Sequence, residues 1–162
     1  MRIYVDSSAL LKRVVIEPDS DALIAVLRRH VADEDALVSS ALAWIEVSRA
    51  LRTRWAGEAD QSAVADATDV AMSGIDEYPI NAEVVSLARR MGPAVMRNLD
   101  AIHLATSVLV DADFVVTFDA RLAAACSESG LAVRAPTAAD RPQVRPQSGL
   151  FASGGLERRS RE

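Results

Sequence analysis

Four acidic residues occupy positions from which they could hold a metal ion. Asp6 directly follows the apolar run "RIYV", and Asp119 directly follows "FVVTF". Glu46, in "WIEVSRAL", and Asp100, in "LDAIHLATS", each lie early in a segment with helical periodicity. Each acid also has an ordinary role open to it. Asp6 and Asp119 suit helix N-caps, while Glu46 and Asp100 suit acids near a helix start that face solvent.

The four carboxylates together indicate a site for a hard cation, provided that the fold brings them to one pocket. Clustered carboxylates are unfavourable unless they are partly protonated or neutralised by cations. Oxygen ligands alone select Mg²⁺ or Mn²⁺. Such an ion activates water, polarises a phosphoryl oxygen and offsets the charge of an in-line transition state. The chemistry indicated is hydrolysis of a phosphodiester bond.

The elements around these acids predict an α/β fold. Short strands are predicted at 2–5, 36–41 and 114–118, and each is followed by a segment with helical periodicity. Strands that are separated by helices and lack tight hairpin turns pair in parallel, which predicts a three-layer sandwich with a central sheet. Ligands bind beyond the carboxyl ends of such strands, and Asp6 and Asp119 lie there.

The remaining helices and strands are predicted from weaker sequence patterns. Residues 59–72 are predicted to continue the preceding helix, and 78–80 to form a brief strand. Asn98 is the expected N-cap of a helix that runs to about Val110, and 131–135 is the expected last strand. We expect one ordered domain over 1–136 and a flexible, Pro-, Arg- and Gly-rich tail over 137–162.

Composition excludes several functional classes. The net charge is −5, and because six arginines face three acids from Arg134 onward, the negative excess lies wholly in residues 1–133. This body is therefore not a basic nucleic-acid binder of the usual kind. Aromatic residues make up 4% of the chain, too few for a face on which bases stack.

The expected cellular location and the expected use of cysteine follow from the absence of an apolar span and from the cysteine count. No apolar run approaches the roughly 20 residues that span a bilayer, and the N-terminus lacks the apolar core of a signal peptide. We expect a cytoplasmic protein that makes no membrane contact. Cys126 is the only cysteine, which excludes a disulfide framework and a cysteine zinc site.

Four stretches carry a family resemblance. In this order and with these separations, "VDSSALLK", "WIEVSRAL", "LDAIHLATS" and "VVTFDARLAAA" resemble the PIN-domain ribonucleases, and specifically the VapC toxins of bacterial toxin–antitoxin pairs. The resemblance covers residues 2 to about 135. It implies a PIN-like three-layer fold, Mg²⁺- or Mn²⁺-dependent endonucleolytic cleavage of structured RNA, a homodimer, and inhibition by a VapB-type antitoxin. The acidic quartet of the family falls on Asp6, Glu46, Asp100 and Asp119.

Roles can be assigned on this basis. Asp6 and Asp100 are the expected primary metal ligands, because apolar segments anchor them. Asp119 is expected to be a third ligand or to hold a metal-bound water, and Glu46 to orient or deprotonate the attacking water. An all-oxygen site does not need imidazole, so His103 is expected to pack beside the site and hydrogen-bond there, with direct catalysis the less favoured alternative.

Further polar residues are candidates for supporting roles. Ser8 carries a hydroxyl suited to holding a carboxylate or a metal-bound water, and Thr117 could hydrogen-bond a carboxylate. Arg49 is expected to pair with Glu46, to touch RNA phosphate or simply to form a surface ion pair. Three other arginines near the motifs are candidates for phosphate contact: Arg13, Arg97 and Arg121. His30, in a charged helix end, is expected at the surface.

Two other functional classes compete with a ribonuclease toxin. A phosphoacceptor domain also places an aspartate after a strand, but it needs a second acid two residues on, where this chain has Ser8, or a late lysine, which is absent. A PIN-like RNA-processing or RNA-binding domain outside toxin systems is the nearer alternative. The intact quartet argues against a non-catalytic domain, because clustered charge without metal is only unfavourable.

Overall fold

The computed structural model describes residues 1–57, 60–93 and 96–140. Its strands are β1 (Arg2–Val5), β2 (Ala36–Ser40), β3 (Asp76–Tyr78), β4 (Phe114–Val116) and β5 (Val133–Arg134). Its helices are α1 (Ser7–Leu11), α2 (Ser20–Ala32), α3 (Ala41–Arg54), α4 (Gln61–Met72), α5 (Ala82–Ala88), α6 (Asn98–Leu109) and α7 (Ala120–Glu128), followed by a 3-10 turn at Ala138–Asp140.

The five strands form one parallel sheet in the order β3-β2-β1-β4-β5. Ile3 of β1 lies opposite Leu37 of β2 on one side and Phe114 of β4 on the other. All five described strands run in the same direction, which confirms the parallel sandwich predicted from the alternation of strands and helices.

Alternate residues of the strands feed two hydrophobic cores. Ile3 and Val5 face the layer made by α1 to α4, and Phe114 and Val116 point to the same side. Tyr4 points to the opposite layer, with residues of α6 and α7. Successive side chains of a strand point to opposite faces, so a run such as "RIYV" must be apolar throughout when both faces are covered.

The order of the strands creates a crevice between β1 and β4. The chain leaves β1 through α1, on the first face of the sheet, and leaves β4 through α7, on the second face. Connections that leave neighbouring strands toward opposite faces open a gap at the carboxyl edge, where ligands bind in open α/β sheets. Asp6 lies at this gap as the N-cap of α1 directly after β1, and Asp119 lies there as the N-cap of α7, which follows β4.

Several boundaries differ from the prediction. The segment after α3 breaks and restarts as α4, which Asp60 caps by accepting the N–H of Ala63. The cap position of α6 is Arg97, and Asn98 is already helical, so the predicted Asn98 cap is wrong. The brief third strand ends, rather than begins, at Tyr78.

His30 is buried, which corrects the expectation of a surface position. The last turn of α2 lies against the sheet, so the imidazole packs 5.5 Å from the ring of Phe114 and its Nδ1 lies 2.8 Å from Asp35 Oδ2. The charged neighbours Arg28 and Arg29 are exposed. The two arginines lie on the side of this turn that faces solvent, whereas His30 lies on the side that faces the sheet. The charged neighbours therefore predicted the wrong exposure for His30.

The proposed domain end falls close to the limit of the described chain. Pro136 is buried, and the 3-10 turn Ala138–Asp140 contacts α2. The predicted flexible tail lies outside the described residues from 141 onward. Among the residues that the structure describes, no helix is long and apolar enough to cross a membrane.

The two faces of α6 allow a matched test of the core. Leu104 is fully buried, whereas Leu99 on the same helix is 46% exposed. We expect Leu104→Ala to lower the free energy of unfolding by about 2–5 kcal/mol and Leu99→Ala to change it by less than about 0.5 kcal/mol. Urea denaturation of the two variants measures both values. Equal losses would contradict the assigned faces of α6.

Candidate active site

The carboxyl edge of the sheet opens into a pocket of about 190 Å³ that contains all four predicted acids. Asp6 and Asp119 reach it from the ends of β1 and β4, Glu46 from the second turn of α3, and Asp100 from the first turn of α6. His103, one turn after Asp100, also lines it. The structure thus brings together the residues that the sequence could place only at separate helix starts.

Asp6 is held rigidly through one carboxylate oxygen. Its Oδ2 accepts hydrogen bonds from the Ser8 N–H (3.1 Å), the Ser8 hydroxyl (2.6 Å) and the Thr117 hydroxyl (3.0 Å). Its Oδ1 lies 3.4 Å from the Ser7 hydroxyl and 3.5 Å from His103 Nε2. Asp6 is therefore both the N-cap of α1 and a carboxylate whose second oxygen points at the pocket.

Asp119 is anchored in a similar way on the other strand. Its Oδ1 accepts from the N–H groups of Arg121 (2.7 Å) and Leu122 (3.3 Å) at the start of α7, and its own N–H donates to Thr117 Oγ1 (3.0 Å). Burial raises the pKa of Asp119, but these two N–H groups, together with the charge and side-chain hydrogen bond of Arg121, outweigh burial and leave that pKa below its ordinary value. The lowered pKa favours the ionised carboxylate, which lines the pocket.

Asp100 is the least satisfied acid of the four. Its Oδ2 is buried and has no hydrogen-bond partner among the described residues. Burial, and then repulsion from Asp119, raise the pKa of Asp100, despite opposing charge from Arg121 and Arg97. A buried oxygen without a partner is a costly arrangement that a bound cation would relieve.

Glu46 is paired with His103. Its Oε2 lies 2.7 Å from His103 Nε2. Burial raises the pKa of Glu46, but the hydrogen bond and charge of His103 outweigh burial and hold the pKa below its ordinary value. Burial lowers the pKa of His103, but the hydrogen bond to Glu46 and the charges of Asp6 and Glu46 raise it above the ordinary value. Both shifts favour a hydrogen-bonded ion pair beside Asp6.

Tyr4 is a member of this network that sequence reasoning missed. It is fully buried, and its hydroxyl lies 2.6 Å from His103 Nδ1 and 3.2 Å from the Ser40 N–H, which donates to it. The composition of the apolar run "RIYV" does not indicate which face of the sheet the Tyr4 phenol points to. The alternation of the strand was the available signal, since Tyr4 faces away from Ile3 and Val5.

A family model for the PIN domain matches residues 3–128. Ribonuclease VapC46 of Mycobacterium tuberculosis is 40% identical over 137 residues, an alignment that covers 83% of this chain and 98% of that protein. The chain belongs to the PIN-domain family. Its resemblance to the VapC ribonucleases, inferred from four short motifs, is thereby confirmed over nearly the whole described chain.

Solved VapC structures share this PIN fold. The structure of VapBC2 from Rickettsia felis, bound to a DNA fragment from its promoter, superposes with a TM-score of 0.64 at 12% identity and covers 83% of this chain and 98% of that one. VapC20 of Mycobacterium tuberculosis, a toxin that cleaves the sarcin–ricin loop, superposes with a TM-score of 0.57 at 17% identity and covers 76% of this chain and 94% of that one. At these identities the likeness establishes the fold.

The donor set fits the metal dependence of PIN-domain ribonucleases. Ligand atoms of Asp6, Glu46 and His103 lie within 4.8 Å of one another, a spacing at which three groups could share an ion. Asp100 and Asp119 line the same pocket. The unpartnered Asp100 oxygen is the observation that most directly calls for a positive charge there.

The predicted supporting residues divide into two groups. Ser8 and Thr117 act on Asp6 through their hydroxyls, as anticipated for a hydroxyl that holds a carboxylate. Arg49 is exposed, and the described residues contain no ion pair between it and Glu46, whose charged partner is His103. A contact of these residues with RNA stays a prediction.

The three other arginines also differ from one another. Arg13 donates to the carbonyls of Ala71 (2.6 Å) and Ser73 (2.9 Å) at the end of α4, so it stabilises that helix end and does not reach the PIN-domain pocket. Arg121 lies 3.5 Å from Asp119 Oδ2, and Arg97 precedes α6; both are exposed near the acids. Phosphate contact stays a prediction for all three arginines, but the structure places only Arg97 and Arg121 near the acids.

The raised pKa of Asp100 gives a stability prediction. A carboxyl whose pKa is higher in the folded state destabilises the fold once it is ionised, so its neutral isostere removes that penalty. We expect Asp100→Asn to raise the melting temperature of the metal-free protein at neutral pH. The gain should shrink as the pH falls through the pKa of Asp100 and the wild-type carboxyl becomes protonated. Calorimetry over a pH series measures this.

The matched control for this prediction is Asp66→Asn, which changes an exposed aspartate of α4 in the same way. It should leave the melting temperature nearly unchanged at every pH. A lower melting temperature for Asp100→Asn at neutral pH would show that the Asp100 carboxylate stabilises the metal-free fold, and would contradict the unfavourable charge assigned to it.

Proposed function

We propose that this chain is a metal-dependent endoribonuclease and the toxin of a toxin–antitoxin pair, with its active site at Asp6, Glu46, Asp100 and Asp119. The convergence of these four carboxylates on one pocket in a PIN-domain chain carries the proposal. The ribonuclease relative that matches 83% of the chain supports the same activity.

The proposed cofactor is Mg²⁺ or Mn²⁺. Asp6, Asp100 and Asp119 are the proposed ligands, because each presents a carboxylate oxygen at the pocket and oxygen donors select these hard cations. When bound, such an ion supplies activation of water and neutralisation of charge on the phosphate. Ser8 and Thr117 keep Asp6 in one orientation by engaging its other oxygen.

Glu46 is the proposed acceptor for the proton of the attacking water. Its lowered pKa keeps it ionised at neutral pH, which a base requires. The Glu46 side chain is 24% exposed, so one oxygen can engage His103 while the other faces the pocket. Attack by the oxygen of water on phosphorus breaks one phosphodiester P–O bond, and the leaving oxygen takes a proton from solvent.

Contact with RNA is proposed to be confined to the rim of the pocket. The body of the chain carries the negative excess, whereas Arg49, Arg97 and Arg121 are exposed around the acids or next to them in sequence. A small number of phosphate contacts implies a shallow salt dependence of cleavage, since the slope follows the number of neutralised phosphates.

The proposed partners are a VapB-type antitoxin and a second copy of this chain. The fold that this chain shares with the VapBC2 structure supports a VapB-type antitoxin as a partner. We propose a cytoplasmic location for this chain, because its proposed substrate is cellular RNA. The competing function, an RNA-processing or RNA-binding PIN domain outside toxin systems, differs in having no antitoxin and no toxicity.

Metal removal and one substitution test the catalytic part of the proposal. Purified protein should cleave total RNA with Mg²⁺, and EDTA should abolish cleavage. Asp6→Asn should lower the rate by more than about 100-fold, because losing only a hydrogen-bonding partner of a metal ligand already costs about 10- to 100-fold. Asp66→Asn serves as the control and should retain full activity. Cleavage that persists in EDTA, or that Asp6→Asn leaves intact, would contradict the proposal.

Expression in bacteria tests the toxin part separately. Induction of the wild-type chain should arrest growth, and induction of Asp6→Asn should not. Co-expression of a cognate VapB-type antitoxin should relieve the arrest. If the purified protein cleaves RNA in an Mg²⁺-dependent way but its expression leaves growth unaffected, the chain is an RNA-processing nuclease and not a toxin.

A further inference from the structure

We propose that Tyr4 and His103 form a buried hydrogen-bond relay that presents one N–H to both Glu46 and Asp6, so that His103 is a positioning residue and not a metal ligand. This inference rests on the proposed function, because it assigns roles within the same pocket. It decides between two arrangements that the distances alone allow: His103 as a third ligand with Asp6 and Glu46, or His103 as a donor to them.

The relay begins at the backbone. The Ser40 N–H donates to the Tyr4 hydroxyl oxygen at 3.2 Å. The Tyr4 hydroxyl and His103 Nδ1 then form a hydrogen bond of 2.6 Å, in which the protonation of the imidazole decides the donor. Tyr4 is fully buried and the two rings meet edge to face at 5.9 Å, so neither ring can turn without disturbing the core.

The Glu46 carboxylate determines the protonation of His103 Nε2. In a neutral imidazole one nitrogen carries the proton and the other accepts. Glu46 Oε2, 2.7 Å from Nε2, can only accept, so the proton of a neutral His103 is on Nε2 and Nδ1 accepts from the Tyr4 hydroxyl. In a charged His103 both nitrogens carry protons, and Nδ1 donates to the Tyr4 oxygen. In either state Nε2 is an N–H donor, and its lone pair is not available to a metal ion.

The hydrogen-bond acceptors near His103 Nε2 agree with this assignment. His103 Nε2 lies 2.7 Å from Glu46 Oε2 and 3.5 Å from Asp6 Oδ1, and ionised carboxylates only accept hydrogen bonds. One N–H therefore lies between two carboxylates of the proposed site. This N–H orients Glu46 and offsets part of the negative charge of the two carboxylates. Only oxygen atoms are then left to bind the cation.

The second histidine provides an internal comparison. His30 Nδ1 lies 2.8 Å from Asp35 Oδ2, and Asp35 Oδ1 lies 2.5 Å from the amino group of Met1. Because that carboxylate accepts, the proton of a neutral His30 is on Nδ1. The only two histidines of the chain are thus expected to show opposite neutral tautomers.

Nitrogen NMR of full-length protein labelled with ¹⁵N-histidine tests the assignment without any substitution. His103 should show a protonated Nε2 in the metal-free protein and after addition of MgCl₂. His30, under conditions where it is neutral, should show a protonated Nδ1 and a bare Nε2. A bare Nε2 on His103, before or after MgCl₂ is added, would overturn the proposal.

Kinetics test whether the relay positions Glu46. Tyr4→Phe keeps the buried ring and removes the hydroxyl that hydrogen-bonds to His103 Nδ1, so kcat should fall about tenfold or more while KM stays within about twofold. Tyr78→Phe, at the half-buried tyrosine that ends β3, is the matched control and should change neither constant. Melting curves establish that both variants are folded. An unchanged kcat for folded Tyr4→Phe would refute the positioning role.

A double substitution tests whether Tyr4 acts through His103. His103→Gln keeps a side-chain N–H for Glu46 but has no Nδ1, so adding Tyr4→Phe to it should lower kcat by much less than in the wild type. An equal loss in both backgrounds would overturn the relay. Asp6→Asn separates the two proposals: full activity in that variant refutes the proposed function, whereas an inactive Asp6→Asn beside a fully active Tyr4→Phe refutes only the relay.

Discussion

Repulsion among carboxylates at one edge of the sheet is the constraint on which the site depends. Each acid must be held against its neighbours, and for Asp6, Asp119 and Glu46 hydrogen bonds secure one oxygen of the carboxylate. Asp6 is secured by two hydroxyls and one backbone N–H, and Asp119 by the first N–H groups of α7. Asp100 has no such partner for its buried oxygen among the described residues. The proposed cation would supply a partner for this oxygen.

The same contacts serve the fold and the chemistry. A carboxylate has two oxygens, so an aspartate that caps a helix can still offer an oxygen to a metal. The ordinary role and the proposed functional role of Asp6 and Asp119 are consequently compatible. Ser8 adds to this by accepting from the Phe118 N–H at 2.9 Å, which joins the ends of β1 and β4 across the crevice. The same Ser8 hydroxyl thus orients the proposed ligand Asp6 and links the two sides of the crevice.

The parts that the sequence predicted are those set by local pattern. The alternation of short apolar runs and helical segments predicted the parallel sheet, and Asp6 and Asp119 were found directly after two such runs, because each signal lies within a few residues. Glu46 and Asp100 were found early in helical segments. Tyr4, His30 and Arg13 were missed or misplaced since their partners are distant in sequence: His103, Phe114 and the end of α4. A period of two or 3.6 residues tells which positions share a face, but not which buried polar atom lies across the interface.

Anomalous diffraction from a crystal soaked in Mn²⁺ tests the central claim most directly, because it locates the cation against named atoms. We predict a peak in the pocket within coordination distance of carboxylate oxygens of Asp6 and Asp100, with His103 Nε2 still hydrogen-bonded to Glu46. A peak coordinated by His103 Nε2, or a soaked crystal with no peak among these acids, would contradict the proposed site.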